Sequence, residues 1–354
     1  MRFIGNKEKL VANIYEILLK HDVIKTCDTT KSFFDMFAGS TSVGRFFKMK
    51  GFSITSCDLL YLSYCLQRAY LQNNKEPRFR GLKDIGDSKR HLNRPYEKVL
   101  AYLNSLESKK GFIYQNYAPS GSKNLATPRQ YFSDYNACKI DAIRLEIEKW
   151  HIQDKISENE YFILLATLLE SISLFANVAG VYAAFCKIWD KRALKPFNLK
   201  QITLLESDKQ HICLCANSTK ILQDSKQIYD LIYLDPPYNQ RQYAPNYHLL
   251  ETIARYDNPS IKGIAGLREW QGQKSRFCNK QNALAELETI IACKNFKTAI
   301  LSYNSEGLMK KDEINEILKP HGAVIFEEMS YPRFKSNQNK GKKFISEYVW
   351  VITK

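Results

Sequence analysis

Ser32-Phe33-Phe34-Asp35-Met36-Phe37-Ala38-Gly39-Ser40-Thr41-Ser42-Val43-Gly44 opens on a short apolar run and breaks into small residues. A run of this length closed by Ala-Gly-Ser predicts a buried strand entering a tight turn. Val43 to Lys50 then carries helical spacing, with Gly51 where a helix would stop. Phe52 to Cys57 predicts a second strand with Asp58 at its end, and Leu59 to Gln72 a further helix. Strand–helix–strand–helix alternation is the sequence form of an α/β fold with a parallel sheet. Ahead of it, residues 7–20 place Leu10, Ile14, Ile17 and Leu18 on one helical face.

Farther along, the alternation breaks. Residues 75–125 are rich in Lys, Arg, Asn, Ser and Gly with little sustained period, whereas 134–150 and 158–189 are helical in pattern. Strand rhythm returns near residue 201. Ile212–Ala216, Tyr229–Leu234 and Thr298–Ser302 are candidate strands, and Ala323–Met329 with Phe344–Ile352 predicts an antiparallel pair with a polar tip. The reading is one α/β domain, a Rossmann-like sheet with a C-terminal antiparallel hairpin, built from residues 1–74 and 201–354. A mainly helical insertion at 75–200 interrupts it.

The 354 residues carry 52 Lys+Arg against 37 Asp+Glu, a formal charge of +15. That surplus fits a polyanionic partner and equally a generally basic surface. The nine cysteines are mostly far apart, and Cys213 and Cys215 lack the spacing of zinc pairs, as do the six histidines, so no metal is expected. Residues 1–9 are charged with no apolar run behind them, so the expectation is no secretory signal and reduced thiols in a cytoplasm. Phe162 to Cys186 is long and apolar, but Glu170, Ser171, Ser173 and Asn177 interrupt it, which favours a buried helix over a membrane span.

Asp235-Pro236-Pro237-Tyr238 follows directly on the apolar run Leu231-Ile232-Tyr233-Leu234. Ligands of open α/β sheets bind at the carboxyl ends of strands, where this tetrapeptide falls. Two prolines fix φ twice and remove two donors, leaving a stiff backbone rich in acceptors. Such a corner suits activation of an aryl amine like that of adenine, whose lone pair is delocalised into the ring. Accepting both amine hydrogens, one on Asp235 and one on the Pro236 carbonyl, frees the lone pair. Tyr238 offers a flat face to a base that has left the duplex. By itself the tetrapeptide equally fits a surface turn; its place after a buried strand is what favours chemistry.

The Asp35–Gly44 stretch lets the chain turn sharply towards a ligand at a helix N-terminus, although a full Gly-x-Gly-x-x-Gly fingerprint is absent. Asp58, about twenty residues on, is placed to accept hydrogen bonds from ribose hydroxyls of a nicotinamide or an adenosylmethionine cofactor. Arg2-Phe3-Ile4-Gly5-Asn6-Lys7 is a basic segment ahead of a helix.

In this order the elements resemble the Dam-like adenine-N6 DNA methyltransferases, especially those of bacterial restriction–modification systems. Those enzymes run from a basic-aromatic-Gly-Lys element through an F-x-G turn, an acid after strand two and a recognition insertion to D-P-P-Y. The likeness extends to Tyr131-Phe132-Ser133, Ile140–Arg144 and Asn177–Tyr182, and to Ser302–Gly307 and Tyr331–Ser336. It implies a Rossmann-like methyltransferase sheet, S-adenosylmethionine as cofactor, and catalysis by Asp235, Pro236, Pro237 and Tyr238. Phe3 and Lys7 are implied to contact the cofactor; Asp35, Phe37 and Gly39 to line its pocket; Asp58 to hold its ribose; and Asp235 to face both cofactor and amine. Two positions depart from the pattern. Thr41 stands where many members carry a second glycine. Asn217 stands where an acid often approaches the cofactor adenine and is carried over as a cofactor contact.

Double-stranded DNA is the expected partner, with no membrane and with a cognate restriction endonuclease allowed for. The basic segment holding Arg333, Lys335, Lys340, Lys342 and Lys343 is expected to touch phosphates, and the loop from Ser120 to Arg129, through Lys123 and Arg129, to read bases. The loop Asn239–Tyr243 could close over a flipped base. Methylation of the 4-amino group of cytosine is the nearest rival, though Asp235 rather than Ser before Pro-Pro-Tyr favours adenine. RNA as substrate also stays open. Two rivals come from other classes: a non-catalytic DNA-binding subunit, and a nicotinamide dehydrogenase, which the missing glycines disfavour. The chain has no Pro-Cys pair, which argues against a nucleophilic cysteine and ring-carbon methylation.

Overall fold

The computed structural model describes residues 3–26, 31–82, 85, 94–332 and 344–354. They form two compact units: Met1–Ile4, Arg68–Glu206 and Ala244–Gln271 make the first, and Gly5–Gln67, Ser207–Tyr243 and Gly272–Lys354 the second. Ala244–Gln271, which the sequence pattern groups with the C-terminal flank, lies in the first unit.

The apolar runs of the second unit become β1 (Ser32–Asp35), β2 (Ser53–Asp58), β3 (Ile212–Cys215), β4 (Tyr229–Leu234), β5 (Phe296–Asn304), β6 (Ala323–Pro332) and β7 (Phe344–Thr353). They pair into one sheet of order β3-β2-β1-β4-β5-β7-β6. The first five are parallel, and β7 lies antiparallel to both β5 and β6. This is the expected α/β sheet with its C-terminal antiparallel hairpin. β1 sits between β2 and β4, so strand order reverses there, and a crevice opens at such a switch point beyond the carboxyl ends. Around the sheet run α1 (Val11–Lys20), α2 (Ser42–Met49), α3 (Tyr61–Gln67), α8 (Ser218–Asp224), α10 (Lys280–Ala292) and α11 (Lys311–Leu318). Phe34, Ile232, Leu287, Ile290, Leu301 and Trp350 are among the buried residues of the core cluster. Covering a parallel sheet on both faces is why β1 and β4 read as near-continuous apolar runs.

The first unit is helical: α4 (Pro95–Ser105), α5 (Phe112–Tyr117), α6 (Asp134–Ile152), α7 (Glu158–Ile172) and most of α9 (Tyr243–Arg255). α4 corrects the reading of 75–125 as lacking period, since Tyr96, Val99, Leu100 and Leu103 are its buried stripe. A second correction concerns 158–189. That helix ends at Ile172, and residues 173–200 follow as irregular chain. Asn177 and Asn136, both fully buried, supply the reason. The Asn177 amide donates to Gln130 O and Cys186 O and accepts from Asp190 N. Asn136 donates to Ala193 O and Lys195 O and accepts from Phe197 N. Side chains that bond the backbone this way replace the helical ladder. No helix of the described residues is long and apolar enough to cross a membrane.

Candidate active site

In the second unit, β1 and β4 pair in parallel with Asp35 opposite Tyr233, so Asp35 and Asp235 leave the sheet at the same end. Asp235 begins the turn after β4, and its side chain is 16% exposed. The carbonyl of Tyr238 accepts from Leu308 N at 3.0 Å, anchoring the far end of that turn.

The N-terminal segment reaches the same place. Gly5 takes φ +74°, and an added Cβ would meet Tyr243 and Tyr238 only at ordinary contact distance, so the backbone conformation is what calls for glycine. The Lys7 carbonyl starts α1 by accepting from Leu10 N and Val11 N. Its ammonium, on a residue 6% exposed, lies 3.4 Å from Asp235 Oδ1 and donates to Glu347 Oε1. Ser302 Oγ donates to the same Glu347 oxygen at 2.9 Å. Burial lowers the affinity of Lys7 for its proton, but Asp235 and Glu347 together outweigh it, so the net shift is upward and the cation is held. Burial raises the pKa of Asp235, Lys7 pulls it down and Glu347 pushes it up again, leaving it at about 7. Burial and the neighbouring Asp235 push the Tyr238 phenol up to about 12, so it stays neutral.

Asp35 is 1% exposed, and neither carboxylate oxygen has a hydrogen-bond partner. The amides of Phe37 and Gly44 temper its charge without reaching bonding geometry, and burial, aided by Asp235 and Asp58, raises it to about 7. Beside it, Asp58 accepts from Gly39 N at 2.8 Å and from Leu60 N at 2.9 Å, one bond on each oxygen. The turn these bonds hold is left-handed twice, at Gly39 (φ +48°) and at Thr41 (φ +65°). The second places a β-branched residue in a backbone conformation that glycine adopts without strain. Half-buried Phe37 stands edge-on to Phe277, ring centroids 5.4 Å apart.

These elements, a left-handed turn after β1, an acid ending β2 and Asp-Pro-Pro-Tyr after β4, coincide with a sequence match. The model of the D12 class N6 adenine-specific DNA methyltransferase family matches residues 3–317. The chain belongs to that family. It is 37% identical over its whole length to Type II methyltransferase M.FokI of Planomicrobium okeanokoites and 35% identical over 99% of it to Modification methylase StsI of Streptococcus sanguinis. It spans about half of those two relatives, 53% and 52%. Type II methyltransferase M.NlaIII of Neisseria lactamica is 37% identical, with 100% of this chain and 99% of the relative covered.

Within this D12-class chain the remaining site candidates take varied places. Asn217 caps α8, its side chain accepting from Lys220 N at 3.2 Å. Phe3 stacks on Tyr247 in the first unit, centroids 4.4 Å apart, and Ile4 N donates to the Tyr247 hydroxyl. Lys123 is exposed. Arg129 was expected to read bases; instead it is 6% exposed and donates to the carbonyls of Ile264, Asn116 and Gly263. Its guanidinium is spent on the chain's own backbone. In the loop after the tetrapeptide, Gln242 exchanges two hydrogen bonds with the Ser275 backbone. Arg333, Lys335, Lys340, Lys342 and Lys343 lie outside the described residues.

Sequence reasoning misses Glu347 and Ser302 as site residues. Glu347 does leave a signal, because it shares its strand face with Val349 and Val351, both buried. A lone acid on the apolar face of a strand is a candidate functional group.

Proposed function

We propose that this chain transfers the methyl group of S-adenosylmethionine to the exocyclic N6 amine of adenine in double-stranded DNA, as the modification enzyme of a restriction–modification system. The observation that carries the reading is the Asp235 carboxylate, set at a strand end 3.4 Å from a buried lysine ammonium. Membership of the family and the names of the relatives support it.

The residues fit the cofactor. Asp35 has two orphaned, buried oxygens, which call for a donor such as the ammonium of a methionine moiety. Asp58 closes β2 with one amide bond on each oxygen, and a carboxylate at that strand end is the acceptor type that ribose hydroxyls need. When bound, the cofactor supplies an electrophilic methyl whose C–S electron pair returns to sulfur as the amine nitrogen takes the carbon. Asp235 and the Pro236 carbonyl accept the two amine hydrogens and localise the lone pair on nitrogen. As nitrogen gains charge, the Asp235 carboxylate balances it, and one amine proton then departs through that carboxylate to water. Asp235 must be ionised for this role, so activity should fall with acid as pH drops through about 7.

The test is to incubate the chain with labelled cofactor and long mixed-sequence duplex DNA, digest, and identify the modified nucleoside. Label should appear on N6 of adenine. Asp235→Ala should cut turnover by roughly 10³-fold or more with the fold retained. Label on the 4-amino group of cytosine, or near-normal turnover by the variant, overturns the reading.

A further inference from the structure

One ammonium serves two carboxylates at the end of β4, and it serves them unequally. Lys7 makes a direct hydrogen bond to Glu347 Oε1, while it stands 3.4 Å from Asp235 Oδ1, beyond the usual length of such a bond. Glu347 is 2% exposed and is held in turn by Ser302 Oγ. A fully buried acid is costly unless paired and hydrogen-bonded, and here both conditions are met by groups that border the catalytic corner. Left alone with Asp235, the lysine would close on it. Its ammonium would then occupy an acceptor that the adenine amine needs.

We propose that Glu347 is a positioning residue of the methyl transfer: by taking the direct hydrogen bond of Lys7, it holds the ammonium at ion-pair distance and leaves the Asp235 carboxylate able to accept the amine. This rests on the functional reading above. Among the described residues, the groups facing Asp235 are Lys7 from the N-terminal segment, Asp35 from β1, Tyr233 and Tyr238 from its own strand and turn, Tyr303 from β5 and Glu347 from β7. Among them Lys7 and Glu347 act on it most strongly and in opposite senses.

Glu347→Gln keeps an oxygen that Ser302 and Lys7 can still use, so the site stays filled while one negative charge is removed. Two effects then act together on Asp235: repulsion is lost, and Lys7, held by a neutral amide oxygen in place of a carboxylate, is drawn more strongly towards the one charge that remains. Single-turnover rates should be measured against pH at saturating S-adenosylmethionine on long mixed-sequence duplex DNA. The acid limb of the variant should move down by about one pH unit, and its plateau should fall about tenfold as the ammonium covers the acceptor. A residue that only supported the fold would lower the rate and the melting temperature without moving the limb. Should Glu347→Gln fail to fold, Glu347→Asp withdraws the carboxylate from Lys7 by one methylene and should move the limb in the same direction. A wild-type chain that puts no methyl on adenine overturns the functional reading and this role with it. Wild-type transfer with a limb that the variants leave in place overturns the role of Glu347 alone.

Discussion

Two buried aspartates, one in each unit, are treated in opposite ways. Asp141 on α6 accepts from the backbone amides of Gly111, Ile113 and Tyr114 at 2.8–2.9 Å and from the Tyr256 hydroxyl at 2.6 Å. Asp35 at the end of β1 accepts from nothing. Burial raises both, but Asp141 has four donors set against it, whereas Asp35 reaches about 7. The same contrast separates Asn136, Asn177 and Arg129, whose polar atoms are taken up by carbonyls and amides, from the Thr41 hydroxyl, buried without a partner. A satisfied buried carboxylate is architecture: it ties α5 to α6 and asks for nothing more. An orphaned one is a standing cost to the ligand-free fold, tolerated where a ligand will complete it.

The largest effect expected from this contrast is on the satisfied side. Asp141→Ala would leave three buried amides and a phenol without their acceptor, so stability should fall by about 3 kcal/mol or more. Chemical denaturation measures it, and a loss under about 1 kcal/mol would mean that those amides find water. On the orphaned side the sign reverses. The folded pKa of Asp35 is raised from 3.8 to about 7, so the native state holds a proton that the unfolded chain has already released between those values. Its contribution to stability is therefore present below pH 4, is lost as pH rises towards 7, and becomes a cost above it. Asp35→Asn should stabilise the ligand-free protein at pH 8 by on the order of 2 kcal/mol, yet weaken cofactor binding about 100-fold. Thermal unfolding paired with calorimetric titration of the cofactor reads both; a variant that binds normally would show that Asp35 awaits no ligand. The smallest effect belongs to the turn. Thr41→Gly removes a β-branched residue from φ +65° together with a buried, unpartnered hydroxyl, at the cost of a more flexible unfolded chain. A net gain of about 1 kcal/mol or less is expected, and a loss would show that the Thr41 methyl packing outweighs the strain.

Legibility in the sequence followed chemistry that is local. Tyr229–Leu234 was readable to the residue because a strand covered on both faces is an unbroken apolar run. Asp35 and Asp235 were readable as strand-end acids because each closes an apolar run, and Asp58 because it closes the next strand of the alternation. The end of α7 was not readable. The apolar pattern continues past Ile172, whereas the irregular chain that follows is held by Asn177 reaching Gln130 O, 47 residues away in sequence. Arg129 misled for the same reason: an arginine in a polar loop looks free until carbonyls 134 and 135 residues distant claim it. α4 was within reach, since its stripe at Tyr96, Val99, Leu100 and Leu103 has plain helical spacing.

Apolar periodicity thus determined the fold class, and the ordered motifs with the resemblance they carry pointed to the family, because each of those signals is written within a few neighbouring residues. Which groups share a charge was decided only in three dimensions. Lys7 and Glu347 stand 340 residues apart, and they meet because β7 pairs antiparallel with β5, setting Glu347 opposite Asn304. Coulomb energy depends on distance and burial, and neither is a property of sequence position.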